Sequence, residues 1–518
     1  MESTRATTRE WFGLGLLLLP MLALATDLTV LFFALPAISA DLHASASQTM
    51  WITHVYGFLI AGFLVTAGRL SDRVGPRRML LIGSTAFAAL SVVAAFSPTA
   101  EILIAARAAL GIAGATLMPS LFSLLRTMFG DETQRRMAIA IAFSAFTVGG
   151  AIGPVLGGAL LEYFWWGSVF LINVPPLALL LIGGIRLLPE RAERNHARID
   201  PISVALSVTA MLAIVYGLQE LAAGQSADGG QVWPQLLCVL AGLGVSALFV
   251  QRQRRIPEPL FDLDLLADRH VRVALVTLLL MGIGVAGMFY LFTQYLMLVA
   301  GLSPLRAGLW TMPYIVLNIT GAMLAPGLAR RWRAATVVAG GILVAAVGAV
   351  GVVVVAGANL PLPLLVAAIS VVGSGQGMAG ALVSDLIVSS APAAKTGSAA
   401  SAQEVGAELG TALGIAAAGV AGLVAYRGYL TGNLPAAVSE SIGRTLGSSV
   451  HEGVAHARQL PADEPVVAVV DAAAGFGLQV FAGLGAVILA VAAGLVIAAR
   501  SRSGRTTSRQ EESLVGTR

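Results

Sequence analysis

Asp27 sits in the middle of ALATDLTVLFFALPAIS (23–39), a stretch otherwise made of apolar and small residues. An ionised carboxylate in hydrocarbon costs on the order of ~3 kcal/mol, so an acid kept there is paired, protonated or put to use. Two further apolar stretches carry charge: Arg107 in AARAALGIAGA (105–115), and Glu404 with Glu408 in SAASAQEVGAELGTALG (398–414). Glu404 and Glu408 are four residues apart and share one helix face. Two carboxylates that close do not both ionise readily, so one of them is expected to hold a proton at neutral pH. For Asp27 two readings stand. One is a fixed salt bridge to Arg107; in the other Asp27 alternates among a proton, Arg107 and a cationic substrate. Glu404 is either part of such a site or simply reaches water near a helix end, and Asp385 in ALVSDLIVSS (381–390) is either a gate residue or a helix cap.

Bond-making chemistry has no foothold. The apolar stretches show no converging nucleophile, base or metal ligands, the six histidines are scattered, and Cys238 is the one cysteine. No GxxxxGK[ST] loop occurs, which argues against a nucleotide-driven pump. The chain reads as neither an enzyme nor a metalloprotein, with no cofactor beyond a proton gradient.

The elements that must position these residues are membrane spans. Of 518 residues 57% are hydrophobic and 12% charged, with a mean hydropathy of +0.83; soluble domains carry about 25% charge. Apolar runs long enough to cross a bilayer suggest fourteen spans, near 12–36, 50–70, 79–97, 101–124, 137–162, 168–187, 202–221, 232–250, 271–300, 306–328, 334–357, 361–388, 398–426 and 472–499. The first run follows MESTRATTREW but continues past about 20 residues and contains Asp27, so it reads as a retained span. With both termini cytoplasmic, 27 of the 32 basic residues fall on the cytoplasmic side, as the positive-inside rule asks. The net charge of +4 then reflects topology and calls for no nucleic-acid partner. At ~1.5 Å per residue, Asp27 lies ~22 Å from the cytoplasmic edge and Arg107 ~9 Å below the outer one, depths that agree within about two helical turns.

Internal repetition follows. GRLSDRVGPRRMLLIG (68–83) has a degenerate echo in GLARRWRAATVVAGG (327–341), and LGIAGATLMPS (110–120) in VGSGQGMAGALVS (372–384). Each echo falls six spans after its counterpart once spans seven and eight are set aside, which is the plan of two six-helix halves joined by a two-helix insertion. Gly149, Gly153 and Gly157 recur every four residues beside Pro154, a smooth face for close helix packing.

These stretches resemble the major facilitator superfamily, and within it the fourteen-helix drug:proton antiporters. GRLSDRVGPRR is similar to motif A, matched by Gly68, Asp72, Gly75, Arg77 and Arg78; Arg107 resembles the arginine motif of span four; GGAIGPVLGG (149–158) resembles the antiporter motif of span five; WWGSVFLINVPP (165–176) resembles the start of span six. The resemblance implies an all-α membrane fold: a six-helix bundle over 1–187, a two-helix insertion over 188–270, a second bundle over 271–499 and a cytoplasmic tail over 500–518. It implies a multi-pass protein, expected to be monomeric, in the bacterial cytoplasmic membrane among membrane lipids. The implied activity is proton-coupled multidrug efflux by alternating access, with a metabolite or nutrient transporter on the same fold as the competitor. Proton coupling would fall to Asp27, Arg107, Glu404 and Glu408. Substrate contact would fall to Asp27, His54, Tyr56, Asn318, Glu404 and Glu408, and gating to Gly68, Asp72, Arg77, Arg78, Gly149, Gly153, Pro154 and Gly157. Family members often carry acids where His54, Gln403 and Asn318 stand, so the expected drugs, dyes and quaternary ammonium compounds are mainly monocations. Trp51, Tyr290, Tyr295, Trp310 and Tyr314 are either stacking surfaces for flat cations or interfacial anchors. The loop 427–470 carries Val438, Ile442, Leu446, Val450 and Val454 at steps of four, the stripe of one amphipathic helix, which is either a lid or passive surface packing.

Overall fold

The computed structural model describes residues 6–190, 200–224, 233–256, 268–358, 360–389, 396–435, 440–448, 450–459 and 465–515. Among them there are eighteen α-helices and no strand, forming two compact units. The first unit comprises 1–223, 231–261 and 302–310, and the second 224–230, 262–301 and 311–518.

The first unit holds α1 (Thr8–Asp41), α2 (Ala46–Val74), α3 (Pro76–Ala95), α4 (Ala100–Ala115), α5 (Leu117–Met128), α6 (Glu132–Tyr163), α7 (Ser168–Leu171), α8 (Val174–Leu187), α9 (Pro201–Gly224) and α10 (Trp233–Gln253). Local chemistry sets their ends. The Ser45 hydroxyl accepts from the Gln48 N–H at 3.2 Å while the Gln48 side chain accepts from the Ser45 N–H at 2.9 Å, a reciprocal cap that starts α2. Gly75 ends α2 at φ +105°, a region an L side chain resists, and Pro76 starts α3 with its φ already helical. The fourth expected span, 101–124, lies within Ala100–Met128, a single stretch long and apolar enough to cross a membrane that is divided into α4 and α5. Thr116 separates α4 from α5, its hydroxyl donating back to the Ala113 carbonyl at 2.7 Å, a local bond that competes with the helical ladder.

The second unit holds α11 (Arg269–Leu298), most of α12 (Pro304–Arg331), α13 (Ala334–Gly357), α14 (Leu362–Ser389), α15 (Thr396–Asn433), α16 (Glu440–Ser448), α17 (Val450–Ala457) and α18 (Pro465–Val515). The stripe expected as one helix in 427–470 falls on α16 and α17, and residue 449 between them lies outside the described residues. Leu446 and Val454 are buried with Tyr426, Leu430, Val466 and Val470 in a small core, whereas Ile442 is 39% exposed. The Tyr426 hydroxyl donates to the Leu446 carbonyl at 2.9 Å and Arg427 Nε to the Gly447 carbonyl at 2.7 Å, holding the end of α16 against α15. Val438 lies outside the described residues.

Twelve helical stretches among the described residues are long and apolar enough to cross a membrane; α2 and α9 contain shorter apolar stretches, Trp51–Leu64 and Pro201–Ile214.

Candidate functional site

Helix α1 carries Asp27 into the interior of the first unit, where it is 0% exposed beside Arg107 of α4 at 1%. Arg107 Nη1 donates to Asp27 Oδ2 at 2.5 Å. Arg107 Nε donates to the Ile52 carbonyl of α2 at 3.1 Å, and the guanidinium lies 4.5 Å from the centre of the Tyr56 ring and 5.9 Å from that of Phe170 on α7. The other carboxylate oxygen, Asp27 Oδ1, accepts from Asn173 Nδ2 at 3.0 Å. A buried ion pair holds its place when further hydrogen bonds satisfy both partners, and here the Ile52 carbonyl, the Tyr56 ring and the Asn173 amide supply them. Tyr56 is fully buried against this pair. His54, 5% exposed, lies close enough to Arg107 to feel its charge, with its ring 5.9 Å from that of Phe58 and its Nε2 without a hydrogen-bond partner among the described residues.

Asn173 was not singled out from the sequence, although it lies inside WWGSVFLINVPP. It is the N-cap of α8, at the break after the single turn of α7 and just ahead of Pro175 and Pro176. A lone amide in an otherwise apolar run was the available signal.

The glycine face of α6 lies along α1. A Cβ on Gly149 would stand 2.8 Å from the Leu22 carbonyl oxygen, and Cβ atoms on Gly153 and Gly157 would collide with Thr29 and Val30. Thr26, next to Asp27, donates to the Gly149 carbonyl at 3.3 Å. On the opposite side, a Cβ on Gly158 would meet the Leu305 Cα at 2.5 Å, and one on Gly308 the Pro154 carbonyl oxygen at 2.5 Å, where the first turns of α12 join the first unit. The motif around 68–78 forms the α2–α3 corner. Gly68 lies in ordinary contact with Pro119 of α5, Arg77 donates to the Ile185 carbonyl of α8, and Arg77 and Arg78 converge on Glu190 at 3.8 and 2.5 Å. Glu190 is a partner the sequence did not suggest. The Asp72 side chain lies outside the described residues.

Glu404 and Glu408 belong to the second unit, on α15, each partly buried. Asp385 is exposed on α14. Asn318 of α12 donates to the Gly373 carbonyl of α14 at 3.0 Å, and the Tyr314 hydroxyl to Gln376 Oε1 at 2.5 Å, with the Tyr314 ring 4.6 Å from that of Phe289. In the first unit the ring of Trp51 lies 6.1 Å from that of Tyr216 on α9. Among the described residues no cluster of three or more metal-ligating side chains occurs.

The family model described as Major Facilitator Superfamily matches residues 17–415. The chain is 39% identical to the multidrug efflux pump LfrA of Mycolicibacterium smegmatis, over 96% of this chain and 97% of LfrA. It is 31% identical to the methyl viologen resistance protein SmvA of Salmonella typhimurium, over 90% and 92% of the two chains, and 33% identical to the tetracenomycin C resistance and export protein of Streptomyces glaucescens, over 82% and 79%. Among solved structures, a bacterial homologue of the lysosomal transporter Spinster aligns with a TM-score of 0.66 at 15% identity, covering 95% of this chain and 97% of that one.

Proposed function

The chain belongs to the major facilitator superfamily and is a multi-pass transporter of the bacterial inner membrane, and from that premise we propose that it expels lipophilic, mainly monocationic drugs in exchange for protons. The relatives that export or resist multiple drugs, methyl viologen and tetracenomycin C support the efflux half of this reading. The proton half is carried by one observation: a fully buried carboxylate, Asp27, bonded to a fully buried guanidinium, Arg107.

Protonation of Asp27 cancels its charge and leaves Arg107 held by a carbonyl and an aromatic ring; deprotonation restores the pair. A group that changes charge in a dry interior changes the relative energies of two conformations, which is what exchange by alternating access requires. Glu404 and Glu408 supply the second negative site, facing a cationic drug, with one proton shared between them. Fourteen spans, both termini in the cytoplasm and a monomeric state complete the proposal.

The acid count bears on charge selectivity. Asp27 is matched by Arg107, and this reading gives substrate contact to Glu404 and Glu408 of α15 with one proton between them. A low-dielectric site must neutralise each substrate charge nearly one for one, and a single positive charge is matched where two are not. Methyl viologen, a dication named for the Salmonella relative, is therefore the informative comparison.

The test uses everted membrane vesicles energised to be acidic inside. A quaternary ammonium monocation should accumulate inside, and a protonophore should release it. Accumulation that a protonophore leaves untouched would remove the proton from the mechanism, and movement out of the vesicles would favour a symporter.

A further inference from the structure

We infer that Asn173 senses the proton on Asp27: its side-chain amide donates to the carboxylate, and turns over to accept from the acid. The inference rests on the coupling role proposed for Asp27 and adds to it the residue that reads the protonation state.

Asn173 is 1% exposed, and its two polar side-chain atoms are used unequally. Nδ2 donates to Asp27 Oδ1 at 3.0 Å, whereas Oδ1 has no hydrogen-bond partner among the described residues. A buried acceptor without a partner is uncommon and calls for a reason. The chemistry of a carboxyl group supplies one. Ionised, it only accepts, so it must face the NH2 of the amide; protonated on Oδ1, it gains an O–H and faces an acceptor instead. The amide carries both functions on one carbon, related by a half-turn about the Cβ–Cγ bond, a torsion that is broad and roughly two-fold. The unused Oδ1 is thus the acceptor that the protonated state needs.

The proton's site follows from the partners. Asp27 Oδ2 is held by Arg107 Nη1, so the oxygen free to bind a proton is Oδ1, the one facing Asn173. A proton delivered from water forms the O–H bond at Asp27 Oδ1; the amide turns, and Asp27 Oδ1–H donates to Asn173 Oδ1. Loss of the proton reverses both changes, and one hydrogen bond is kept in each state. The charged or titratable groups around Asp27 are Arg107 from α4 and, beside Arg107, His54 and Tyr56 from α2. The described ionisable residues of α5, α6 and α8 (Arg126, Arg135, Glu162, Tyr163 and Arg186) lie in the end turns of their helices, and α7 carries none. Asn173 is shielded from solvent and acts through Asp27; it is a positioning residue.

The readout is infrared difference spectroscopy of the purified full chain on stepwise acidification, with asparagine isotopically labelled at the side-chain amide. In the unmodified protein a protonated-carboxyl band, absent in Asp27→Asn, should appear together with a labelled-amide band of the same midpoint pH. In Asn173→Leu, similar in volume but unable to donate or accept, the amide band should vanish and the carboxyl band should move to higher frequency as its O–H loses its acceptor. Asn173→Gln, which keeps both functions, should restore part of the shift. If Asp27 gives no acid band in the unmodified chain, the coupling role falls and takes this inference with it. If Asp27 titrates while the labelled amide does not respond, or while Asn173→Leu leaves the acid band's frequency and midpoint in place, Asn173 is only the cap of α8. Should Asn173→Leu not fold, the labelled amide in the unmodified chain, compared with Asp27→Asn, decides alone.

Discussion

Removing one charge at a time from the Asp27–Arg107 pair should have unequal costs. Breaking a buried ion pair by deleting one partner costs about 3–5 kcal/mol, because the other charge is left alone in a dry site. In Asp27→Asn the stranded charge is Arg107, and a guanidinium cannot shed its proton. Its Nε keeps the Ile52 carbonyl at 3.1 Å and its face keeps the Tyr56 ring at 4.5 Å, a cation–π contact worth about 1–2 kcal/mol when desolvated. The expected net loss is about 2–4 kcal/mol. In Arg107→Gln the stranded charge is Asp27, which escapes by binding a proton; that loss should be about 1–3 kcal/mol. The double substitution leaves no lone charge, so its cost should fall short of the two single costs added together by about 2 kcal/mol, roughly a 30-fold effect on the equilibrium. The assay is a double-mutant cycle on thermal unfolding of purified protein, with monocation export followed in parallel. Export should be lost in all three variants. Single effects that simply add, or an Arg107→Gln variant less stable than Asp27→Asn, would show that the pair is solvated and the electrostatic argument mistaken.

Three other outcomes are expected. Gly149→Ala places a Cβ 2.8 Å from the Leu22 carbonyl oxygen, which should cost about 1–3 kcal/mol by overpacking and reduce export; an unchanged melting temperature would mean that α1 and α6 are not held in this contact. Asp200, ahead of α9, has its carboxyl held down at about 2 by the hydrogen bonds from Arg252. Because the folded value lies below the ordinary one of 3.8, the pair stabilises the fold above that pH and loses its contribution as pH falls toward about 2. Asp200→Asn should flatten the acid limb of the stability curve, and a limb identical to that of the unmodified protein would count against the bridge. Asn318→Asp adds a carboxylate to α12 and should raise methyl viologen export relative to a monocation of similar hydrophobicity in proteoliposomes; equal or better dication transport by the unmodified protein would refute the charge-matching argument.

The membrane class and the helical architecture were legible because apolar runs of span length have no other stable use. Asp27 and Arg107 were legible because ionised side chains are costly in hydrocarbon, and counting residues along two helices brought them to similar depths. Their contact at 2.5 Å still depended on how α1, α2 and α4 pack, which residue spacing does not encode. The four-residue glycine spacing in α6 announced a close approach but not its partner α1. The break between α4 and α5 at Thr116 escaped notice, since the apolar pattern runs on there while a local bond interrupts the helical ladder. Asn173 shows the limit most clearly. A buried neutral side chain gains about 1–2 kcal/mol at most from a hydrogen bond within a membrane bundle, so its presence in a span strains nothing and draws no attention, whereas a lone charge there does. The residues that answer a buried charge are thus harder to see in a sequence than the charge itself. They become visible only when the fold shows which polar atoms reach it, and which, like Asn173 Oδ1, have no partner among the described residues.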